Sequence, residues 1–254
     1  MRSDVWTKSY ESRRTFIGGS DARIIMGSDE AALIGLWREK RGEVEPEDLS
    51  GNLVVQLGAT TEALNRSWYE RNTSRRITDV QRRVKHSAIP WMVATLDGIV
   101  EGTGAVFESK FMLPWSFSEE AAAEKYMAQV QHNMWVTHLR SAVLSIITGG
   151  GKWVEITIPM DPLYLSVLLS AEKKFWRCVQ SGEPPHLINA EPPRPRIEAV
   201  RVGGVRRAVP QHPKRLSRPR TGKKRAQGLD ARGCQGGDWA RRESKALEIG
   251  GGEL

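Results

Sequence analysis

The chain has 254 residues, enough for one full-sized domain or two small ones with a buried core. Its formal net charge of +8 is uneven, with +10 over residues 192–254 and −2 over residues 1–191. Its two cysteines exclude a disulfide framework and a four-thiolate zinc site, and no apolar run approaches the roughly 20 residues of a membrane span. The start of the chain lacks an apolar signal segment, so we expect a protein of a reducing compartment without membrane contact.

Composition places a boundary near residue 190. Residues 192–254 hold 6 of the 13 prolines and 10 of the 24 glycines, with few large apolar side chains. We therefore predict a folded domain over 1–190 and a disordered, basic tail over 191–254. Two interpretations of the tail stay open. It is either a solvated segment without a specific role, or a tether for nucleic acid, because clustered Lys and Arg release counterions from phosphates.

The predicted elements of the domain alternate between helical and strand patterns, which indicates a mixed α/β fold. Ser20 or Asp21 caps a short helix that ends near Met26. The other predicted helices are 31–41, 58–72, 119–139 and 162–180. The predicted strands are 76–85, 91–100, 105–112, 142–148 and 153–159. In helix 58–72, the spacing of Leu57, Leu64 and Trp68 predicts that these side chains face inward.

The second and third strands form a hairpin around a Gly-rich turn. With the turn centred in its loop, Val100 opposes Ala105 and Asp97 lies across from Glu108. Opposed Cβ atoms are about 4.5–5.5 Å apart in such a pair. Side chains alternate between the two faces of a strand, so Lys110 shares a face with Glu108. The hairpin thus predicts two carboxylates and one ammonium group at one place.

This grouping suits a hard divalent cation. Two neighbouring carboxylates repel each other unless a cation lies between them. Mg²⁺ prefers oxygen ligands and keeps several waters, one of which can act as a nucleophile. Lys110 is then placed to orient or deprotonate that water, or to offset charge on a phosphate. The alternative is a surface hairpin with a plain salt bridge between Glu108 and Lys110.

An aspartate followed across a hairpin by Glu-x-Lys, with a helix on either side, resembles the PD-(D/E)xK nuclease core. Three further segments resemble the family of bacteriophage lambda exonuclease and the YqaJ-like viral recombinase nucleases, in family order. They are residues 13–22, 57–62 and 126–137. The resemblance covers roughly residues 10 to 180 and excludes the tail. It implies a restriction-endonuclease-like α/β core, in which helices flank a central mixed sheet.

The resemblance also implies roles for individual residues. Glu62, Asp97, Glu108 and Lys110 correspond to the catalytic acids and lysine of the family. Asp97 and Glu108 would bind the metal together with a main-chain carbonyl, and Glu62 would hold the metal shell or a second ion. Gln129 also matches the family pattern, and its amide can donate to a phosphate or hold a water.

Arg13 and Ser20 correspond to family residues that hold a 5′-terminal phosphate. A guanidinium group binds phosphate through two parallel hydrogen bonds, and a hydroxyl at a helix start adds a donor. Arg14 is the rival for this role. The family has an aspartate where this chain has Ser87, which leaves one or two metal ions open.

Three aromatic residues have two interpretations each. Tyr126 shares a helix face with Gln129, so it either reaches the site or packs in the core. Trp37 and Trp91 either pack in the core or wedge against DNA bases.

Taken together, the resemblance implies a Mg²⁺-dependent exonuclease, with Mn²⁺ as a substitute ion, that degrades the 5′-ended strand of duplex DNA. The products are 3′ single-stranded tails for phage-type recombination. It further implies double-stranded DNA ends as substrate, a homotrimer, a single-strand annealing protein as partner, and a phage- or prophage-encoded enzyme of the bacterial cytoplasm. Two alternatives are a restriction-like endonuclease on the same core and a non-catalytic DNA-binding protein that works through its basic tail.

Overall fold

A computed structural model describes residues 13–188, 193–194, 196–203 and 205–208. These residues belong to one structural unit that lies within residues 1–213. The helices are α1 (Gly19–Ile25), α2 (Glu30–Arg41), α3 (Leu53–Thr73), α4 (Glu119–Thr137) and α5 (Pro162–Ser181). The strands are β1 (Ile77–Thr78), β2 (Arg83–Lys85), β3 (Val93–Thr95), β4 (Gly98–Val100), β5 (Ala105–Met112), β6 (Ser141–Thr148), β7 (Trp153–Pro159), β8 (Ala199–Val202) and β9 (Val205–Ala208).

Local sequence sets the ends of the four longer helices. Each begins after a polar side chain that accepts a hydrogen bond from a free backbone N–H of the first turn, and each ends at a residue with positive φ. The N-terminal caps are Asp29, Asn52, Ser118 and Asp161. The C-terminal caps are Gly42, Ser74, His138 and Gly182. These signals explain the four longer predicted helices, of which α3 begins at Leu53 rather than at residue 58. The short helix α1 begins after Gly18, so Ser20 and Asp21 lie inside it and neither is its N-terminal cap.

Seven strands form one mixed sheet in the order β1-β4-β5-β6-β7-β8-β9, and β2 pairs with β3 in a separate hairpin. Only the β5–β6 pair in the large sheet is parallel. Parallel neighbours need a crossover connection, and α4 supplies it between β5 and β6. The predicted register of the hairpin formed by β4 and β5 is confirmed, because Val100 pairs with Ala105.

Helices cover both faces of the sheet. The main core cluster joins α4 and α5 to one face, through side chains such as Met134 and Leu168. On the other face, Tyr69 of α3 packs on Phe107 and Trp153, with ring centroids 5.1 and 6.4 Å apart. In the part of the chain that the structure describes, no helix has the length and apolar character needed to cross a bilayer.

The predicted inward face of α3 is wrong. Leu64 and Trp68 are 49% and 41% exposed, whereas Asn65 and Tyr69 are buried. Each buried residue lies one position after a predicted one, so the helix is rotated by about one residue (roughly 100°) relative to the prediction. A polar residue, Asn65, takes a core position because it hydrogen-bonds the sheet, as described below. Trp68 is instead covered by the guanidinium of Arg71, 5.2 Å from its ring centroid.

The core interpretation of Trp37 and Trp91 is confirmed. The Trp37 indole N–H donates to the Cys178 carbonyl at 3.0 Å, and its side chain is buried in a cluster formed by α1, α2 and α5. Trp91 stacks on Trp176 with centroids 5.5 Å apart.

The boundary predicted at residue 190 is wrong for Ala199–Val202 and Val205–Ala208, which extend the sheet as β8 and β9. Ala199 and Val200 are buried, and Arg201 pairs with Glu155 of β7 at 3.2 Å. This segment carries several small apolar residues, and the edge of β7 offers it a hydrogen-bonding partner. Residues 209–254 lie outside the described residues, so the prediction for that part of the tail is not tested.

His132 of α4 and Glu172 of α5 form a fully buried pair. His132 Nδ1 lies 2.8 Å from Glu172 Oε1, and His132 Nε2 lies 3.1 Å from the Val93 carbonyl oxygen. Two oxygen acceptors favour a hydrogen on each ring nitrogen, which is the imidazolium form. Burial opposes this charge, but the Glu172 carboxylate and the Val93 carbonyl raise the pKa of His132 above its ordinary value of 6.5.

We expect His132→Asn to remove a pH dependence of stability. A raised pKa contributes stability that is fully present below the unfolded-state value and is lost as pH rises through the folded-state value. Denaturant unfolding at acidic pH should show the variant destabilised by about 3–5 kcal/mol, since one partner of a buried pair is removed. This deficit should shrink as pH rises above 6.5.

The matched control is His186→Asn, because His186 is exposed. Its unfolding free energy should follow that of the wild type at every pH. A deficit for His132→Asn that stays constant with pH would contradict the imidazolium assignment.

Candidate active site

The site forms where β4 separates from β5. The ladder between these strands ends at the pair Gly98–Phe107. Asp97 Oδ2 then accepts hydrogen bonds from the backbone N–H of Ser109 at 2.8 Å and from its hydroxyl at 3.2 Å. The Asp97 carboxylate thus takes the place of a strand partner and is fixed against the middle of β5.

Glu108 of β5 is the centre of the site. Its side chain is only 2% exposed. Oε1 accepts from Lys110 Nζ and from Gln129 Nε2, both at 2.6 Å, and Oε2 accepts from Asn133 Nδ2 at 3.1 Å. The two amides come from successive turns of α4. They lie four residues apart and therefore share one face of the helix. A buried carboxylate is costly unless such donors surround it.

Lys110 lies beside this carboxylate with its side chain 20% exposed. Its ammonium is 5.1 Å from the ring centroid of Tyr126, one turn before Gln129 on α4. Burial alone would lower the pKa of Lys110, but the charges of Glu108 and Asp97 outweigh it and raise that pKa. Tyr126 is itself 5% exposed and belongs to the core cluster, so it both packs in the core and contacts the site.

The carboxylate of Asp97 is held in an unfavourable electrostatic setting. Burial and the neighbouring charge of Glu108 raise the pKa of Asp97 to about 7, although Lys110 and the Ser109 N–H lower it. A cation beside both carboxylates would relieve this cost. Carboxylate oxygens are the ligands that Mg²⁺ prefers, so the donor set fits that ion.

Glu62 of α3 lies at the edge of this group. Its Oε1 accepts from Arg66 at 3.1 Å and from Gln81 at 2.7 Å, and its charge adds to the raised pKa of Asp97. Across the described ranges, no three His, Cys, Asp or Glu side chains are spaced to hold one metal ion. Glu62 is therefore near the two carboxylates without joining them as a third ligand in this arrangement.

Asn65, one turn after Glu62, anchors α3 to the sheet. Its amide N–H donates to the carbonyls of Lys110 at 3.3 Å and Ser145 at 2.8 Å, and its oxygen accepts from the Ser145 hydroxyl at 2.6 Å. The Trp153 indole donates to the same hydroxyl at 2.9 Å. This buried network holds α3 against the backbone of β5 at the lysine.

The short helix α1 packs directly on α4 at the site. A Cβ atom on Gly19 would lie 2.6 Å from Asn133 Oδ1 and 3.0 Å from Gln129 Cγ, so only glycine permits this approach. The contact places the start of α1 beside the two amides that bind Glu108. The N-terminal segment is thus packed against the residues that bind Glu108.

Arg13 and Ser20 are both accessible next to this contact. Arg13 is 43% exposed, with its guanidinium 3.6 Å from Asp21, and Ser20 is exposed. The rival Arg14 is bound to Glu45 at 2.7 Å. A second cation, Lys40, is buried against Asp21 at 2.6 Å and donates to the Arg13 carbonyl. The segment is therefore held by Lys40 and leaves Arg13 exposed.

The structure brings together Asp97, Glu108, Lys110 and Gln129, as predicted. Ser87 lies apart from them, with its hydroxyl 3.2 Å from His138 Nε2. Sequence reasoning missed two residues that hold the site.

They are Asn133 and Asn65. The first lies four residues after Gln129, a spacing that would have pointed to it. The second carried no signal, because a lone Asn in an amphipathic helix usually faces solvent.

With this geometry established, comparison with known proteins identifies the family. The YqaJ-like viral recombinase domain matches residues 9–140, and the chain belongs to this family. Protein YqaJ of Bacillus subtilis (strain 168) is 29% identical over 194 residues, which is 74% of this chain and 60% of the relative. The chain therefore spans about 60% of the length of that relative.

Solved exonuclease structures share the fold. The alkaline exonuclease LHK-Exo from Laribacter hongkongensis matches with a TM-score of 0.57 and 18% identity, over 69% of this chain and 93% of that chain. A phage-related exonuclease from Haemophilus somnus 129PT matches with a TM-score of 0.51 and 14% identity, over 65% and 92%. At these identities the likeness establishes the fold, and the predicted mixed α/β fold with helices flanking a central mixed sheet is confirmed.

We expect Asp97→Asn to stabilise the metal-free protein at alkaline pH and to abolish stabilisation by Mg²⁺. The raised pKa means that the ionised carboxylate destabilises the fold above about pH 7, and an uncharged amide removes that cost. Thermal unfolding at pH 8 with EDTA and with Mg²⁺ measures both effects, since a ligand that binds only the folded state raises Tm.

Asp48→Asn is the matched control, because Asp48 is exposed. It should respond to Mg²⁺ as the wild type does. An Asp97→Asn protein with the full Mg²⁺ response would show that the ion binds elsewhere.

Proposed function

We propose that this protein is a Mg²⁺-dependent deoxyribonuclease that degrades the 5′-ended strand of duplex DNA, with Mn²⁺ as a substitute ion. The observation that supports it most is the arrangement around Glu108. The buried Glu108 carboxylate holds Lys110 in place. Asp97 lies near Glu108, and a cation beside both carboxylates would lower the cost of their charges. The family supports a role in recombination, and the shared exonuclease fold supports the nuclease chemistry.

The chain's own side chains would divide the work. Asp97 and Glu108 would hold Mg²⁺, which supplies Lewis-acid stabilisation of charge on the phosphoryl oxygens. Gln129 and Asn133 keep Glu108 oriented through its two oxygens. Lys110 would act on the attacking water and on the phosphate, where its positive charge would offset the negative charge of the transition state.

The proposed polarity rests on the N-terminal segment. Arg13 and Ser20 would bind a 5′-terminal phosphate one step beyond the scissile bond, through a guanidinium fork and a hydroxyl. Gly19 keeps this segment in contact with Gln129, so a phosphate bound there would lie at a fixed distance from the cleaved bond. A fixed distance from an end is the geometric requirement of an exonuclease.

The wider setting follows from the family resemblance. We propose a homotrimer that encloses the duplex, a single-strand annealing protein that takes up the 3′ tails, and a phage- or prophage-encoded origin in the bacterial cytoplasm. A crystal structure of LHK-Exo in complex with dAMP shows a mononucleotide bound to that exonuclease. A nucleotide of this kind is the product expected here.

Lys110→Ala is expected to lose at least about 100-fold in turnover while still binding DNA, since it removes a positioned charge and donor from the reacting phosphate. The assay uses linear duplex labelled at one end, with Mg²⁺ or with EDTA, and follows which strand shortens. The wild type should shorten the 5′-ended strand only with Mg²⁺, and Lys173→Ala, an exposed lysine of α5, should match it.

Covalently closed circular DNA should stay intact, because an exonuclease needs an end. Cutting of the circle would favour the endonuclease alternative. Full Mg²⁺-dependent activity in Lys110→Ala would overturn the assigned site.

Arg13→Gln should erase the preference for 5′-phosphorylated over 5′-hydroxyl ends. The guanidinium fork is the proposed contact to the terminal phosphate, and glutamine lacks its charge. The ratio of initial rates on the two substrates measures the effect, at several DNA concentrations. Arg14→Gln is the control, because Arg14 is already paired with Glu45. An unchanged ratio in Arg13→Gln would exclude this role.

A further inference from the structure

Three cations surround one aromatic ring that contacts the site. The ring of Tyr126 has Lys110 Nζ at 5.1 Å, Arg23 Cζ at 5.3 Å and Lys125 Nζ at 5.5 Å from its centroid. Each distance is within the range of a cation–π contact. Arg23 is half-buried in the last turn of α1, and Lys125 is exposed on α4. The three charges come from three separate elements.

These cations differ in how they are paired. Lys110 has Glu108 as its partner. Neither Arg23 nor Lys125 occurs in any ion pair or hydrogen bond found among the side chains of the described residues. Like charges near one ring repel each other, so the cluster is least stable when no anion is present. The Asp97–Glu108 pair has the opposite charge, and a cation would stabilise it.

The helix contacts fix this cluster relative to the active site. Arg23 lies one turn after Gly19 on α1, and Gly19 touches Gln129 and Asn133. Arg23 touches Tyr126, which precedes Gln129 by one turn on α4. The same contact between α1 and α4 therefore carries both the amides of the site and the cations around Tyr126.

We propose that Arg23 and Lys125, seated on Tyr126, bind a backbone phosphate of the DNA strand whose neighbouring phosphodiester is cleaved at Lys110. This inference rests on the proposed nuclease function and adds to it a second phosphate contact, independent of the 5′-terminal one. The guanidinium and ammonium groups supply charge, and the aromatic ring holds them at a fixed position. They are positioning residues for the substrate strand.

The test is DNA binding in EDTA, where cleavage and metal binding play no part. Fluorescence anisotropy with a labelled duplex gives the Kd of the full chain at several salt concentrations. Arg23→Gln and Lys125→Gln should each weaken binding by about tenfold. Each should also reduce the slope of log K against log salt by about 0.9 per lost phosphate contact. With Mg²⁺, KM should rise while kcat is retained.

Lys173→Gln, which makes the same charge change on the outer face of α5, is the matched control and should leave Kd and slope unchanged. Tyr126→Leu should weaken binding, and Arg23→Gln should then add little, because the guanidinium has lost its support. Circular dichroism confirms that each variant is folded.

The outcomes separate this inference from the proposed function. If Arg23→Gln and Lys125→Gln bind with wild-type Kd and slope while the wild type still degrades DNA, the phosphate contact is excluded and the nuclease stands. A weakening equal to that of Lys173→Gln also excludes it, since the effect is then net charge alone. If the wild type neither binds nor degrades DNA, the proposed function fails and this inference fails with it.

Discussion

A buried carboxylate, that of Glu108, imposes the constraint on which the rest of the site depends. An anion with 2% of its side chain exposed destabilises the fold unless donors replace the lost water. Lys110 from the same strand and two amides from α4 provide them. The position of α4 over β5 is therefore set by polar contacts as well as by packing. The three donors that stabilise the buried Glu108 carboxylate also fix its position, and in this way they order the site.

Helix α4 does two things that an ordinary surface helix does not. It forms the crossover between the two parallel strands, so it is buried along most of its length. Polar side chains on such a helix must be satisfied inside the protein. Gln129 and Asn133 are satisfied at the active site, and His132 is satisfied by Glu172 at the back. One helix thus links the stability of the core to the geometry of the site.

Charge is arranged around the site in two complementary groups. Asp97 and Glu108 share the charge of Lys110, and the remaining negative charge contributes to the rise of the Asp97 pKa to about 7. Among the described residues, Arg23 and Lys125 form no ion pair. A metal ion together with a phosphodiester would neutralise both groups at once. The near-neutral charge of residues 1–191 is therefore compatible with DNA binding, because local separation of charge matters more than the sum.

The sequence by itself determined the helices, the register of the β4–β5 hairpin and which four candidate site residues come together. Helix caps and the turn residues are local signals, and the placement of Asp97 beside β5 follows from strand geometry and the turn. Prediction from the sequence was less reliable for α3, where Leu64 and Trp68 face outward and Asn65 lies inside. Apolar spacing cannot show that a polar side chain has a partner in a distant strand.

Only the tertiary structure decided what surrounds these residues. The contacts of Asn133 with Glu108, of Gly19 with α4 and of Arg23 with Tyr126 join segments that are far apart in the chain. The strand at Ala199–Val202 forms because β7 offers an open edge, a fact absent from its own composition. Local sequence fixes which conformations a segment prefers. The partners that satisfy its buried charges and backbone groups are fixed only when the sheet and helices come together.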